Sequence, residues 1–270
     1  QGMATGAGIV VSRAIIRDLF PPADAQRVMS QVTIVFGVAP AIAPIVGGWL
    51  YTLVGWHGIF VFLAAVGALL ALANHRLLPE SLPPPARRPF ALGDLMRGYR
   101  QLCGSAPFLL LACASGVPFN GMFLYVLASP AFLGRHLGLA PTEFWWFFVA
   151  TTACVMLGAA VSGRLAGRIP RRRQIRHGFV VMGVASVVNV VVNLAGGGPA
   201  AVMIAPVSLY AFGWSLMVPA VTLMALDLFP DRRGMASSLQ AVIGSVANGL
   251  VAGVLVPWVM DSTLALALAS

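Results

Sequence analysis

Arg17-Asp18-Leu19-Phe20-Pro21 closes one apolar segment and leads, across a short Arg-bearing stretch, into Met29-Ser30-Gln31 at the start of the next. Leu226-Asp227-Leu228-Phe229-Pro230 does the same and leads into Ser237-Ser238-Leu239-Gln240. Aligning Asp18 with Asp227 places the two stretches 209 residues apart, with long apolar runs between them. A membrane-spanning helix needs about 20 mainly apolar residues to cross roughly 30 Å of hydrocarbon. Seven complete segments of that kind are predicted, at about 29–54, 57–78, 107–133, 143–166, 177–195, 200–226 and 235–260. Partial helices are expected at about 1–19 and from 263 onward, and six helices separate the two aspartates. The runs are too long for the strands of a membrane barrel, about 9–11 residues each, and they lack in/out alternation.

Composition agrees. Of 270 residues, 59% are hydrophobic and 9% charged, whereas a soluble domain carries about 25% charged residues. Lipid must face most of this chain. All seventeen basic residues are arginine and the net charge is +9. They sit in clusters between apolar runs instead of forming a continuous patch or a nucleic-acid motif, which argues against a nucleic-acid partner. If connections alternate sides, one side receives sixteen arginines and the other only Arg135. By the positive-inside rule the Arg-rich side is expected to be cytoplasmic. Cys103, Cys113 and Cys154 show no disulfide or metal-ligand spacing, so no metal site is expected.

A six-helix parallel repeat is the signature of the major facilitator architecture, two six-helix bundles rocking about a midplane site. The fold expected is therefore all-α and membrane-integral. Residues 1–78 supply helices four to six of the first bundle, 79–106 a cytoplasmic linker, and 107–270 helices seven to eleven with the start of twelve. That register implies a chain truncated at both ends, with three helices upstream of Gln1. Pro79, Pro83, Pro84, Pro85 and Pro89 resist helix in the linker, and Ala91–Gln101 is expected to form a short interfacial amphipathic helix.

Three motifs sharpen the reading. In the helix at 29–54, Gly37, Pro40, Pro44, Gly47 and Gly48 combine helix-bending prolines with glycines that leave room for close helix approach. The segment resembles the antiporter motif of major facilitator drug exporters, with Ala43 in place of a glycine. Gly163, Arg164, Arg168, Arg171, Arg172 and Arg173 resemble the loop motif between the second and third helices of each half. The family pattern there has Asp where Gly167 stands and Gly where Pro170 stands. Gly2, Arg13, Arg17 and Asp18 fit the fourth-helix segment, and Leu78-Pro79-Glu80-Ser81-Leu82 the end of the sixth.

Together these residues resemble the bicyclomycin and chloramphenicol resistance (Bcr/CflA) branch of the drug:proton antiporters, over essentially the whole chain. The resemblance implies a transporter, not an enzyme. It implies proton-coupled export of small amphiphilic molecules by alternating access, in the bacterial inner membrane, as a monomer and without a cofactor beyond the proton gradient. Polar and aromatic residues within spans are candidates for the cavity wall: Asn120, Met122 and Tyr125, then Tyr210 and Trp214, then Gln240 and Asn248. No Asp or Glu lies in the middle of a complete span, so the proton-coupling acid is expected upstream. A metabolite or sugar transporter of the same fold would call for a more polar site. A membrane-embedded enzyme would need a cluster of carboxylates or histidines that the spans lack.

Overall fold

The computed structural model describes residues 2–78, 80, 91–140 and 143–270, with the side chains of 2–5, 39–41, 44 and 45 excepted. The described elements are helical throughout. Among them six stretches are long and apolar enough to cross a membrane, and the chain is a multi-pass integral membrane protein. Helix α1 (Gly2–Leu19) ends where Pro21 and Pro22 interrupt the chain, and Pro22 opens α2 (Pro22–Leu77). Proline suits a first helical turn because its missing N–H has no partner there anyway. The 56-residue run of α2 is two helices joined at Gly55, whose φ of 73° and ψ of −175° are non-helical. A side chain would strain that backbone, and glycine does not. This is the boundary expected between the helices at 29–54 and 57–78.

Helix α3 (Leu92–Cys103) matches the short helix expected in the linker. The prolines at 79, 83–85 and 89 lie outside the described residues, as do Ser81 and Leu82. Next come α4 (Ala106–Gly116) and α5 (Phe119–Leu127), followed by a wide helical turn at Pro130–His136. The continuous helix expected at 107–133 is therefore broken at Val117–Pro118 and widened after Ser129. Pro118 and Pro130 lack the N–H that would carry the ladder across. Helix α6 spans Trp145–Leu165 and α7 spans Arg171–Leu194. Arg171, Arg172, Arg173 and Arg176, read from the sequence as a connection, thus form the first turns of α7. Helix α8 (Ala200–Asp227) and α9 (Arg233–Leu250) follow, then a second wide turn at Val251–Leu255. The chain closes with α10 (Val256–Val259) and α11 (Thr263–Ala269), the latter capped by Ser262 Oγ accepting from the Ala265 N–H at 3.3 Å.

Helix α8 is the hub, packed by α6 and α7. Small residues allow the approach. A Cβ on Gly158 would stand 2.1 Å from Ser215 Oγ, and one on Gly178 2.7 Å from Met217 Cβ. Close backbone contact is the main source of helix association where lipid supplies no hydrophobic drive. The N-terminal part of α2 lies along α6 and α8, and α1 along α9 and α2. In contrast, the most apolar window of Val46–Leu77 buries none of its residues. Trp49, Leu53 and Leu69 stand out from it; in a bilayer such a surface is the lipid face, and in water it would be a liability.

Candidate functional site

The Arg17-Asp18 and Asp227 stretches, recognised as a repeat, meet each other. Arg17 Nε donates to Asp227 Oδ1, and Arg171 Nη1 donates to Asp227 Oδ2 at 2.8 Å. Arg233 Nη1 donates to Asp18 Oδ1. Arg171 also donates to the Pro22 carbonyl at 2.9 Å. These bonds join α1 and the start of α2 to the ends of α7, α8 and α9. The charges at this end therefore form a cross-linked layer. Elsewhere, Arg232 Nη2 reaches Asp94 Oδ1 at 3.1 Å and holds α3 against α9.

The arginine-rich loop motif divides. Arg171 belongs to the layer, whereas Arg164, Arg168, Arg172 and Arg173 are exposed. Its glycines carry contacts: a Cβ on Gly163 would lie 3.3 Å from Ser30 Cβ, and one on Gly167 3.1 Å from Ala23 Cβ. Gly167 also has a φ of 77°. The aspartate of the family pattern would be strained and crowded at this position, and Asp227 holds the arginines instead.

Just inside the layer lies a buried polar network that the sequence reading did not single out. Gln26 Nε2 donates to Gln174 Oε1 at 2.9 Å, and Gln174 Nε2 donates to Ser162 Oγ at 2.7 Å and to the Leu216 carbonyl at 2.8 Å. Four helices meet there with their buried amides satisfied. One signal was available: Gln26 and Gln174 are long polar residues one turn inside helices that must be buried.

Beyond the network opens a cavity of about 270 Å³, close to the lower end for small-molecule sites. One wall comes from α1 and α2, through Ser12, Arg13, Thr33 and Phe36. The facing wall comes from Gly116 and Phe119, Trp214 and Thr222, and Gln240 and Asn248. Phe119 and Trp214 pack with ring centroids 5.0 Å apart. A Cβ on Gly116 would stand 2.9 Å from Gly244 Cα, so the backbones of α4 and α9 touch at the wall. Three polar atoms here are buried and unpartnered: Trp214 Nε1, Gln240 Oε1 and Asn248 Oδ1. Gln240 Nε2 donates to Ser115 Oγ at 3.3 Å.

Of the residues expected to line the cavity, Trp214, Gln240 and Asn248 do so together, and Arg13 joins them. The others lie elsewhere. Asn120 Nδ2 donates to the Val117 carbonyl at 3.2 Å, and Tyr210 Oη donates to the Pro118 carbonyl at 2.8 Å. Both add a side-chain donor to carbonyls at the helix break that also accept from the Asn120 and Gly121 backbone N–H groups. Tyr125 accepts from Asn189 Nδ2 at 2.7 Å, beside a second cavity of only about 10 Å³, room for a single water. Met122 is core. In the antiporter-type motif, Gly37 packs on α6, where a Cβ would lie 3.3 Å from Val155 Cγ1. No described atom is within 4 Å of a Cβ on Gly47 or Gly48. The close helix approach expected at those two glycines is thus absent among the described residues. The surroundings of Pro40, Pro44 and Gly2 lie outside them.

Stacked glycine contacts, lipid-facing helices and a cavity between two helix groups define a polytopic helical membrane protein with an internal cavity. The Major Facilitator Superfamily sequence profile matches residues 1–252, and the chain belongs to that family. It is 29% identical over 263 residues to the bicyclomycin resistance protein homolog of Haemophilus influenzae (strain ATCC 51907 / DSM 11121 / KW20 / Rd). It is 28% identical over 257 residues to the uncharacterized MFS-type transporter YdgK of Bacillus subtilis (strain 168). It is 26% identical over 257 residues to multidrug resistance protein D of Escherichia coli (strain K12). The matches cover 95%, 93% and 93% of this chain and 64%, 64% and 62% of those relatives, so the chain spans a little under two thirds of their length.

Proposed function

We propose that the protein exports small amphiphilic molecules, drugs among them, across a bacterial inner membrane by proton-coupled alternating access, with its Arg-rich ends in the cytoplasm. The observation that carries this reading is the cavity between the α1/α2 wall and the α4/α8/α9 wall, capped at the Arg-rich end by the Asp227 and Asp18 ion pairs. In that arrangement the substrate sits against Phe119 and Trp214, and the cross-linked charges close the inner side. Opening inward parts Arg17 and Arg171 from Asp227, and Arg233 from Asp18. Proton coupling enters through the family resemblance, since no Asp or Glu lines the cavity among the described residues. The names of the relatives, resistance to bicyclomycin in one and to multiple drugs in another, support drugs as the substrate class. A sugar carrier is less well supported, because Ile16, Met29, Val32 and Phe119 make much of the wall apolar.

The test is drug-dependent proton movement. Inverted membrane vesicles carrying the complete protein are energised, and a panel of amphiphilic antibiotics including bicyclomycin is added while the internal pH is followed. At least one drug should dissipate the gradient, and Trp214→Ala should abolish the response. Gradient-independent movement of every drug that is transported would refute antiport, and no transport of any drug would refute drug export.

A further inference from the structure

Between the ion-paired layer and the cavity, α2 meets α6 along a seam of small residues. A Cβ on Gly167 would lie 3.1 Å from Ala23 Cβ, one on Gly163 3.3 Å from Ser30 Cβ, and one on Gly37 3.3 Å from Val155 Cγ1. Ala23, Ser30 and Gly37 follow one another at a spacing of two helical turns, so a single face of α2 runs along α6 from its first turn inward. Gln26 stands on that face between Ala23 and Ser30. It is 2% exposed, and Gln174 and Ser162 are fully buried.

The two amides form a plug and a socket. Gln174 Nε2 donates to Ser162 Oγ at 2.7 Å and to the Leu216 carbonyl at 2.8 Å. An amide whose N–H groups are both used presents its oxygen the other way, and Gln174 Oε1 accepts from Gln26 Nε2 at 2.9 Å. Gln26 Nε2 also reaches the Ser162 carbonyl at 3.3 Å. The socket is built from α6, α7 and α8 and keeps both its donor bonds when α2 moves away. On this face, separation uncovers two amides with Ala23, Ser30, Gly163 and Gly167. Little apolar area is exposed, and water satisfies the amides. Such a contact is firm when dry and easily hydrated when opened.

We infer that the Gln26–Gln174 pair is an uncharged inner latch: it holds the cavity shut toward the Arg-rich side separately from the Asp227 and Asp18 ion pairs, and the α2–α6 seam from Ala23 to Ser30 parts when that side opens. The inference rests on the cavity being the substrate site and names what regulates access to it. The two layers differ in kind. Salt screens partly exposed ion pairs, whereas a buried neutral amide pair keeps its strength.

Access is read in the complete protein with Cys103, Cys113 and Cys154 replaced. A membrane-impermeant maleimide is added from the Arg-rich side, and labelling of Thr222→Cys in the cavity wall is followed by peptide mass. Gln26→Met keeps the side-chain length and strands Gln174 Oε1. Labelling should accelerate by at least about fivefold, and the gain should persist in about 1 M salt, where the Debye length is about 3 Å. Independently, Ser30→Cys with Gly163→Cys brings two Cβ atoms near the separation of about 3.5–4.5 Å that a disulfide needs. Oxidation should arrest labelling at position 222, and reduction should restore it. An unchanged rate in well-folded Gln26→Met, or a gain that vanishes in high salt, would overturn the latch. If Gln26→Met does not fold, the disulfide decides: labelling that continues with the bond closed shows a seam that does not part, and failure of the bond to form in folded protein denies the seam itself. Absence of drug-dependent proton movement in the wild type, with labelling still governed by the seam, would refute drug export and leave the latch standing.

Discussion

Replacing Asp227 with Asn keeps the shape of the side chain and removes the charge that joins Arg17 and Arg171. The side chains of Arg17, Arg171 and Asp227 are 16%, 19% and 29% exposed, so the cluster lies between a surface pair and a buried one. Exposed pairs contribute about 0–1 kcal/mol, and breaking a buried pair costs about 3–5 kcal/mol because a charge is left stranded. A cost of about 2 kcal/mol is intermediate, and it falls on the state in which the Arg-rich ends are joined. That cost shifts the equilibrium toward the parted state by close to thirtyfold. The readout is accessibility. Thr222 lines the cavity and is 1% exposed. A cysteine placed there, with Cys103, Cys113 and Cys154 replaced, is labelled from the Arg-rich side by a membrane-impermeant maleimide. Labelling should accelerate by at least about tenfold in Asp227→Asn. Asp18→Arg should act likewise, and the swap Asp18→Arg with Arg233→Asp should restore the slow rate. Asp94→Asn, which loosens only α3 from α9, should leave it unchanged. An unchanged rate in well-folded Asp227→Asn would show that the ion pairs do not hold the two walls together.

Two further outcomes are expected. Gly158→Val should destabilise the protein by about 1–3 kcal/mol as an overpacked contact, because its Cβ would collide with Ser215 Oγ and the Phe212 carbonyl; Gly48→Val, with no described atom within 4 Å of its Cβ, should leave the thermal melting point in detergent unchanged, and equal melting points for the two variants would count against the packing described for α6 and α8. Single cysteines at positions 172 and 233 should react only from the cytoplasmic side and one at 135 only from outside, and ready external labelling at 172 would reverse the orientation proposed from the arginine distribution.

The helices, the lipid-facing class and the family were legible in the sequence because they depend on properties local to the chain. Hydropathy over about 20 residues reports the solvent of a segment whatever it packs against. Proline and glycine act at their own positions, so the turn at Gly55 falls where the residues predict, whereas the connection expected up to Met29 already ends at Pro21 and residues 22–28 are helical. The break at Pro118 lies inside a continuous apolar run, which concealed how completely that proline divides α4 from α5. The repeat around Asp18 and Asp227 was also visible, as an alignment. Its consequence was not. That Arg17 faces Asp227, a partner 210 positions away, depends on how α1 lies along α9 and beside α8. Helical period tells which residues share a face, and it does not tell which helix that face meets. The candidate cavity residues divided for the same reason. Trp214, Gln240 and Asn248 turn to one chamber, whereas Asn120 and Tyr210 donate to the Val117 and Pro118 carbonyls at the helix break and Tyr125 accepts from Asn189. A polar side chain in a span must find a partner, and only the tertiary structure decides whether that partner is backbone, another helix or an open chamber. Arg13 is the clearest case: by sequence it is one of sixteen arginines on a charged side, and only the fold places it in the chamber wall.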